Sequence, residues 1–420
     1  MLAAGIVAHP GRAIASAGFL FYRPTIPIPV IKKTLLPLAL GGFGIGMTEF
    51  VMMGILPDIA GGLHITIPQA GYLITAYALG VVVGAPTLVT LMAGRPPRSV
   101  LVWFMLMFAI FNAMSAFAPN FETMMVSRFL AGLPHGAFFG VGAVVASRLA
   151  DPGRTAAAVA SMFTGLTLAN VLGVPLGTWI GHTIDWRLVF LIVAAIGLFT
   201  MWSLHQWVPF IEPRARTRIM QDLRIFRHLD LWLALGIVSI GTGGFFAWFS
   251  YIAPLLTDVT RFASTTIPLI MTVVGIGMTV GVVFGGYLAD RAHPLPALVM
   301  LLTSMTVLLL CNGWLAESKV AMVVLAFLTG ANALAIGPPI QLLLMERSRE
   351  AEMLGSSLGQ SGFNVGNALG AFLGGIPLTM GFAYTSPQWV AAALALCGVG
   401  LAAFMLLRHR GQVRALAANA

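Results

Sequence analysis

Residues 35–58 read LLPLALGGFGIGMTEFVMMGILPD. The stretch is long enough to cross a bilayer and almost wholly apolar, yet it carries one carboxylate, Glu49, well inside. An ionised carboxylate in hydrocarbon costs about 2.5 kcal/mol or more even on the mildest scale. A chain keeps such a residue when something in the membrane needs it. Gly41, Gly42, Gly44 and Gly46 leave a thin surface beside it for another backbone or a ligand. The stretch therefore reads as a first membrane helix with Glu49 as its working residue.

The rest of the chain has the same character. Its 420 residues are 58% hydrophobic and 9% charged, with a mean hydropathy of +0.92. A soluble domain carries about 25% charged residues, so this is a polytopic membrane protein. Cys311 and Cys397 both lie in apolar runs and support neither a disulfide framework nor a metal site. The net charge of +9 sits in short connections between apolar runs. That pattern fits membrane topology and not a nucleic-acid partner.

Apolar segments recur near 34–57, 68–92, 99–118, 123–146, 156–181 and 187–208. A basic stretch, 209–230, follows. A second set lies near 231–256, 267–289, 297–316, 319–345, 354–378 and 388–407. Each is about 20 residues or more, enough to span about 30 Å of hydrocarbon. Residues 1–33 and 408–420 read as tails. On one side of the membrane lie most of the 23 Lys and Arg. On the other lie only Arg187, Arg261 and Lys319, and Arg128 falls inside a segment. The positive-inside rule then places both termini and the 209–230 linker in the cytoplasm, which requires an even number of spans.

The two sets share a register. Gly44, Gly46 and Pro57 recur as Gly241, Gly243 and Pro254, and Gly80 and Gly84 recur as Gly277 and Gly281. Asn170, Gly173 and Gly177 recur as Asn367, Gly370 and Gly374, always at an offset of 197 residues. Apolar filler gives scattered coincidences, not one offset across three pairs of helices. The expected fold is an all-α membrane protein of twelve transmembrane helices. They form two pseudo-symmetric halves, 34–208 and 231–407, able to rock about a midplane site.

Three motifs carry a family resemblance. The fifth segment contains Gly165-Leu-Thr-Leu-Ala-Asn170-Val-Leu-Gly173-Val-Pro175-Leu-Gly177. The connection after the eighth contains Gly285-Gly-Tyr-Leu-Ala-Asp290-Arg291. The first contains Thr48-Glu49-Phe50 and then Gly54-Ile-Leu-Pro57-Asp58-Ile-Ala60. Together they resemble the major facilitator superfamily, its drug:proton antiporter-1 branch and, within it, the arabinose- and sugar-efflux group. The resemblance implies the major facilitator fold and a secondary transporter of the bacterial inner membrane. It also implies action as a monomer on protons and a small organic molecule. The Gly-x-Pro-x-Gly run matches the family's antiporter motif. Asp290 and Arg291 match its gating loop, with a solvated loop as the alternative reading. The corresponding first-half loop is degraded, with Gly94 where the second half has Asp290.

Gly173, Gly177 and Gly181 stand four apart, so they form one stripe. Ordinary small-residue packing explains the stripe. Asn170 and Pro175 add a bend and a packed seam between the halves. In the fourth segment Arg128, Gly132 and Gly136 are spaced by four, with His135 on roughly the same face. Glu49 lies about 12 Å and Arg128 about 8 Å from the same end of their helices, at 1.5 Å per residue. They can meet directly or through water, either as a proton-handling pair or as a static tie. His135 is a further proton-coupling candidate or a packed hydrogen-bonder. The matching second-half positions are Phe246 and about Ala326, so proton chemistry belongs to the first half.

Substrate-cavity candidates lie in the second half. The eleventh segment has Gln360, Asn364 and Asn367 on one face, the seventh has Phe246, Trp248 and Tyr251, and the tenth has Asn332. Interhelical packing is the plain alternative for each. No phosphate loop, nucleophile elbow, metal spacing or dinucleotide fingerprint appears, so no enzyme, cofactor or ATP use is expected. The reading is a proton-coupled efflux antiporter of drugs or sugars. A symporter or uniporter importing a metabolite is the alternative carrier. A membrane receptor would need a larger output domain than 209–230 or 408–420.

Overall fold

The computed structural model describes residues 32–92, 94–152, 155–212, 227–291, 293–347 and 352–418. The side chains of 155–157, 290, 352–357 and 410–418 fall outside that description. Most of the expected N-terminal tail and linker therefore lies outside it too.

Among the described residues all regular structure is helical. The first six spans are α1 (Leu36–Gly54), α2 (Ile67–Leu91), α3 (Pro97–Ala116), α4 (Phe121–Leu149), α5 (Ala158–Thr183) and α6 (Trp186–Trp207). The second six are α7 (Leu229–Ser250), α8 (Ile267–Arg291), α9 (Pro294–Trp314), α10 (Lys319–Arg347), α11 (Glu352–Thr379) and α12 (Ser386–Ala418). Eleven of these are long and apolar enough to cross a membrane by length and composition. The other, α11, is 28 residues long and carries Gly, Ser, Gln and Asn through its first half. Beyond residue 407 the chain continues α12 as helix to Ala418.

Local chemistry sets the ends. Thr66 caps α2 in a reciprocal box with Gln69, and Asn120 caps α4 by accepting from the Thr123 N–H at 2.9 Å. Proline interrupts both first helices at the repeated position. It has no N–H for the carbonyl four residues back. Accordingly α1 breaks at Ile55, two residues before Pro57, and resumes as Leu56–Leu63. Likewise α7 ends at Ser250 before Pro254. The α1 extension is tied to α5 by Asp58 and His182, 2.6 Å apart.

The 197-residue repeat is a repeat of neighbours. In the first half α2 packs on α4, α1 on α5 and α3 on α6. In the second, α8 packs on α10, α7 on α11 and α9 on α12. Gly80 explains one of these approaches, because a Cβ there would run into the Phe129 carbonyl of α4. Its counterpart Gly277 meets the Phe327 carbonyl of α10 in the same way. Between the halves, α2 lies against α11 and α8 against α5. Each half thus offers its second helix to the fifth helix of the other, as a pseudo-twofold relation demands. Named contacts across this seam are Tyr72 with Phe372, Phe50 with Phe249 and Gly71 with Tyr251. They run from the middle of the bundle to the end remote from the termini. Large apolar side chains such as Trp103, Val283 and Leu396 stay exposed, as lipid-facing residues do.

Candidate functional site

The site grows from α1. Its glycines admit close neighbours: a Cβ on Gly41 would strike the Phe138 ring, and one on Gly46 would press on Leu166 of α5. That packing buries Thr48 and leaves Glu49 only 7% exposed. The Thr48 hydroxyl donates to Asn112 Oδ1 of α3 at 2.6 Å. Asn112 in turn donates to the Phe108 carbonyl one turn back at 2.8 Å. An amide or hydroxyl this deep must be partnered, and these two satisfy each other.

Arg128 of α4 completes the network. It is fully buried. One terminal nitrogen donates to Thr48 Oγ1 at 3.0 Å and the other to the Thr48 carbonyl at 3.1 Å. The guanidinium carbon lies 4.3 Å from the centre of the Tyr77 ring on α2 and 5.4 Å from that of Phe190 on α6. Its Nε has no hydrogen-bond partner among the described residues. The ion pairs among the described residues do not include Glu49 with Arg128. The guanidinium reaches α1 one residue early, at Thr48. Glu49 turns instead to the second half, where its Oε1 accepts from Asn367 Nδ2 of α11 at 3.5 Å. His135 is buried, shares a 3.1 Å hydrogen bond through Nδ1 with the Tyr77 hydroxyl, and packs on the Phe139 ring.

The second half mirrors the arrangement with neutral groups. Trp248 Nε1 of α7 donates to Asn312 Oδ1 of α9 at 3.0 Å. Asn312 donates to the Leu308 carbonyl at 2.8 Å and to Thr329 Oγ1 of α10 at 3.1 Å. Each half thus joins its first, third and fourth helices in one buried network, with Thr48 of α1 at its centre in the first half and Asn312 of α9 in the second. Only the first half puts a guanidinium in the knot.

The cavity candidates divide. Trp248 spends its N–H on Asn312, Tyr251 donates its hydroxyl to the Ala371 carbonyl at 2.7 Å, and Phe246 packs on Gly370. In this state the three aromatics are packing residues. Asn332, Asn364 and Asn367 are different: all are buried and each leaves its amide oxygen without a hydrogen-bond partner among the described residues. The Asn364 Nδ2 donates to the Gln360 carbonyl at 3.1 Å, which fixes its oxygen as the free atom. The Gln360 side chain is half-buried.

The fifth-helix glycines lie inside the first half. Gly165 faces the Ala39 carbonyl, where a Cβ would collide, and Gly173 packs on Phe43 and Met47. Gly177 packs on Met47 and Val51. The seam to the second half is at Asn170, whose backbone carbonyl sits on Gly275 of α8. Asn170 belongs to a wide turn, Ala169–Gly173, that precedes Pro175. The Gly285–Arg291 motif, expected in the connection after the eighth segment, instead forms the last turns of α8, where Arg291 is exposed and stacks 4.3 Å over the Tyr287 ring. The Asp290 side chain lies outside the described residues. In the first half Arg98 lies in the first turn of α3 and donates to the His205 carbonyl in the last turn of α6.

Tyr77, Asn112 and Asn312 are site residues that motif reading misses, and Thr48 enters it only as a neighbour of Glu49 in the first-helix motif. The available signal is an isolated polar group within an apolar span, which must find a partner. Asn112 and Asn312 are the only amides in their spans.

The family model described as Major Facilitator Superfamily matches residues 38–353 and again 231–419. The inner membrane transport protein YdhP of Escherichia coli strain K12 is 41% identical over 357 residues, covering 84% of this chain and 91% of that one. The chloramphenicol resistance protein of Streptomyces lividans is 30% identical over 366 residues, covering 85% and 92%. The solved D-xylose–proton symporter superposes with a TM-score of 0.70 at 15% identity, covering 89% of this chain and 96% of that one, which supports the fold alone.

Proposed function

The chain belongs to the major facilitator superfamily and is a multi-pass membrane transporter, not an enzyme; from that premise we propose that it exports small organic molecules in exchange for protons. One observation carries this reading. The buried carboxylate of Glu49 stands on the seam between the halves, bonded across it to Asn367. A proton-accepting group at that place can feel which side is open. Intramembrane carboxylates mark pathways because their burial is otherwise costly.

The cycle follows from alternating access. With the basic end of the bundle in the cytoplasm, the seam contacts close the outer side, so this state faces inward. Opened outward, Glu49 takes a proton from the external phase. Opened inward, it releases that proton to the cytoplasm while a substrate enters between the halves. Proton and substrate compete for one region, so the fluxes run in opposite directions. Arg128 ties α4 to α1 through Thr48, which is itself bonded to Asn112 of α3, and keeps a fixed positive charge beside the carboxylate. The free amide oxygens of Asn332, Asn364 and Asn367 accept from substrate donors. A relative named for chloramphenicol resistance supports export. Drugs and pentose-type sugars such as arabinose are the substrate classes to test.

The test is accumulation in everted membrane vesicles, with chloramphenicol and arabinose as probes. An acid-inside gradient should drive uptake, and Glu49→Gln should abolish that drive. Undiminished gradient-driven uptake by Glu49→Gln would remove the assigned role.

A further inference from the structure

We propose that Asn367 is a positioning residue, a latch that locks the empty, deprotonated carrier so that it cannot reorient without cargo. The inference rests on the exchange reading above. Exchange is tight only if the carrier without proton or substrate stays put. If it could return, protons would cycle through the protein with nothing exported. Some contact must therefore hold the halves together in that one state and yield in the others.

Among the described residues two hydrogen bonds cross from one half to the other. Thr75 Oγ1 donates to the Ala368 carbonyl at 3.4 Å, and Asn367 Nδ2 donates to Glu49 Oε1 at 3.5 Å. They come from adjacent residues of α11. Only the second ends on a group that changes charge. A hydrogen bond to a carboxylate is about twice as strong as one to a neutral oxygen. The Asn367 bond is therefore strongest when Glu49 is ionised and weakens when a proton arrives. The other ionisable groups around Glu49 are Arg128 on α4, Tyr77 on α2 and His135 behind Tyr77. Arg128 keeps its charge and is committed to Thr48. Tyr77 and His135 are committed to each other.

Substrate can undo the same latch. Asn367 is fully buried and its Oδ1 has no hydrogen-bond partner among the described residues. A substrate donor that reaches this oxygen, or the carboxylate beside it, replaces the inter-half contact with a contact of its own. The seam then opens with cargo in place. The sequence context fits a contact that forms and breaks. Gly366 and Gly370 flank Asn367 and lie directly on α7 backbone, so α11 moves as part of its own half. The first-half counterpart, Asn170, meets Gly275 through its backbone, so only one of the two repeated asparagines makes a side-chain latch.

The experiment is proton leak in proteoliposomes without any substrate. They contain a trapped pH dye, and the potential is clamped by potassium and valinomycin. Wild-type protein should hold an imposed gradient close to protein-free liposomes. Asn367→Leu should dissipate it about tenfold faster, and adding Glu49→Gln should remove that leak. Asn367→Asp, nearly isosteric, should leak at alkaline pH and tighten at acid pH, where two facing carboxyls share a proton. A merely structural role would not produce that pH dependence. Two results overturn the latch: Asn367→Leu and Asn367→Asp as tight as wild type, or a leak that survives Glu49→Gln. Loss of gradient drive in Glu49→Gln alongside a tight Asn367→Leu sinks the latch alone. Intact drive in Glu49→Gln sinks the exchange reading beneath it.

Discussion

Arg128 hydrogen-bonds to Thr48 and not to Glu49, the residue that follows it. The distinction decides what each charge does. A direct pair would fix the carboxylate inside the first half and oppose its protonation. Reaching Thr48 instead, the guanidinium braces α1 and leaves Glu49 free to face the second half.

Thr48→Val should therefore behave as a structural lesion. It keeps the shape but removes the acceptor for Arg128 and the donor for Asn112. Buried polar groups left unpaired cost about 1–3 kcal/mol each. Thermal unfolding in detergent should shift down measurably, and Thr48→Ser should recover most of the loss. Unchanged unfolding of Thr48→Val would mean that the network contributes nothing to stability.

Glu49→Gln should separate binding from coupling. The amide carries no titratable proton, so acidifying the external phase can no longer load it. In everted vesicles, whose lumen is the external phase, wild-type accumulation should rise as the lumen is acidified from about pH 8 to about pH 6 at a fixed bath pH. The variant should be flat across that range while still exchanging labelled for unlabelled substrate. A normal pH response in the variant would place the proton site elsewhere.

Much of this architecture is legible in the sequence, for a simple reason. A span needs a long apolar run, and Lys, Arg and Pro mark its ends, so the helix positions follow closely. The 197-residue repeat marks a duplication, and Gly80 and Gly277 show it in the packing, each sitting where a Cβ would run into a carbonyl. The site is legible as a neighbourhood but not as a set of bonds. Glu49 and Arg128 share a depth, yet their side chains choose Asn367 and Thr48 by rotamer and crossing angle, which spacing does not encode. The glycine stripe of α5 packs within its own half, and the repeat alone cannot say which face of α5 meets α8.

Asn312→Leu tests whether the neutral knot of the second half matters as much as the charged one. The change strands the Trp248 N–H and the Thr329 hydroxyl, both buried. It should lower stability by about 1–3 kcal/mol. Because no charge is involved, the pH dependence of transport should be unchanged in whatever protein folds. A shifted pH profile would show that the second half takes part in proton handling.

Two glycines that look alike in sequence should respond differently. At Gly165 an added Cβ would run into the Ala39 carbonyl, inside the first half. At Gly275 it would run into the Asn170 carbonyl, across the seam. Overpacking costs about 1–3 kcal/mol in either place, but what relaxes is not the same. Gly165→Ala strains a contact present in every state of a rigid half, so it should lower the unfolding temperature and leave the balance of states alone. Gly275→Ala strains a contact made only while the outer side is closed. The protein can relieve it by opening, so the population should move outward with little loss of stability. The measurement is labelling of a cysteine introduced at seam residue Tyr72, in a background lacking Cys311 and Cys397, by an impermeant thiol reagent from the outer side. Gly275→Ala should speed labelling several-fold and Gly165→Ala should not. Equal labelling in both variants would mean that the α5–α8 contact persists through the cycle and is no gate.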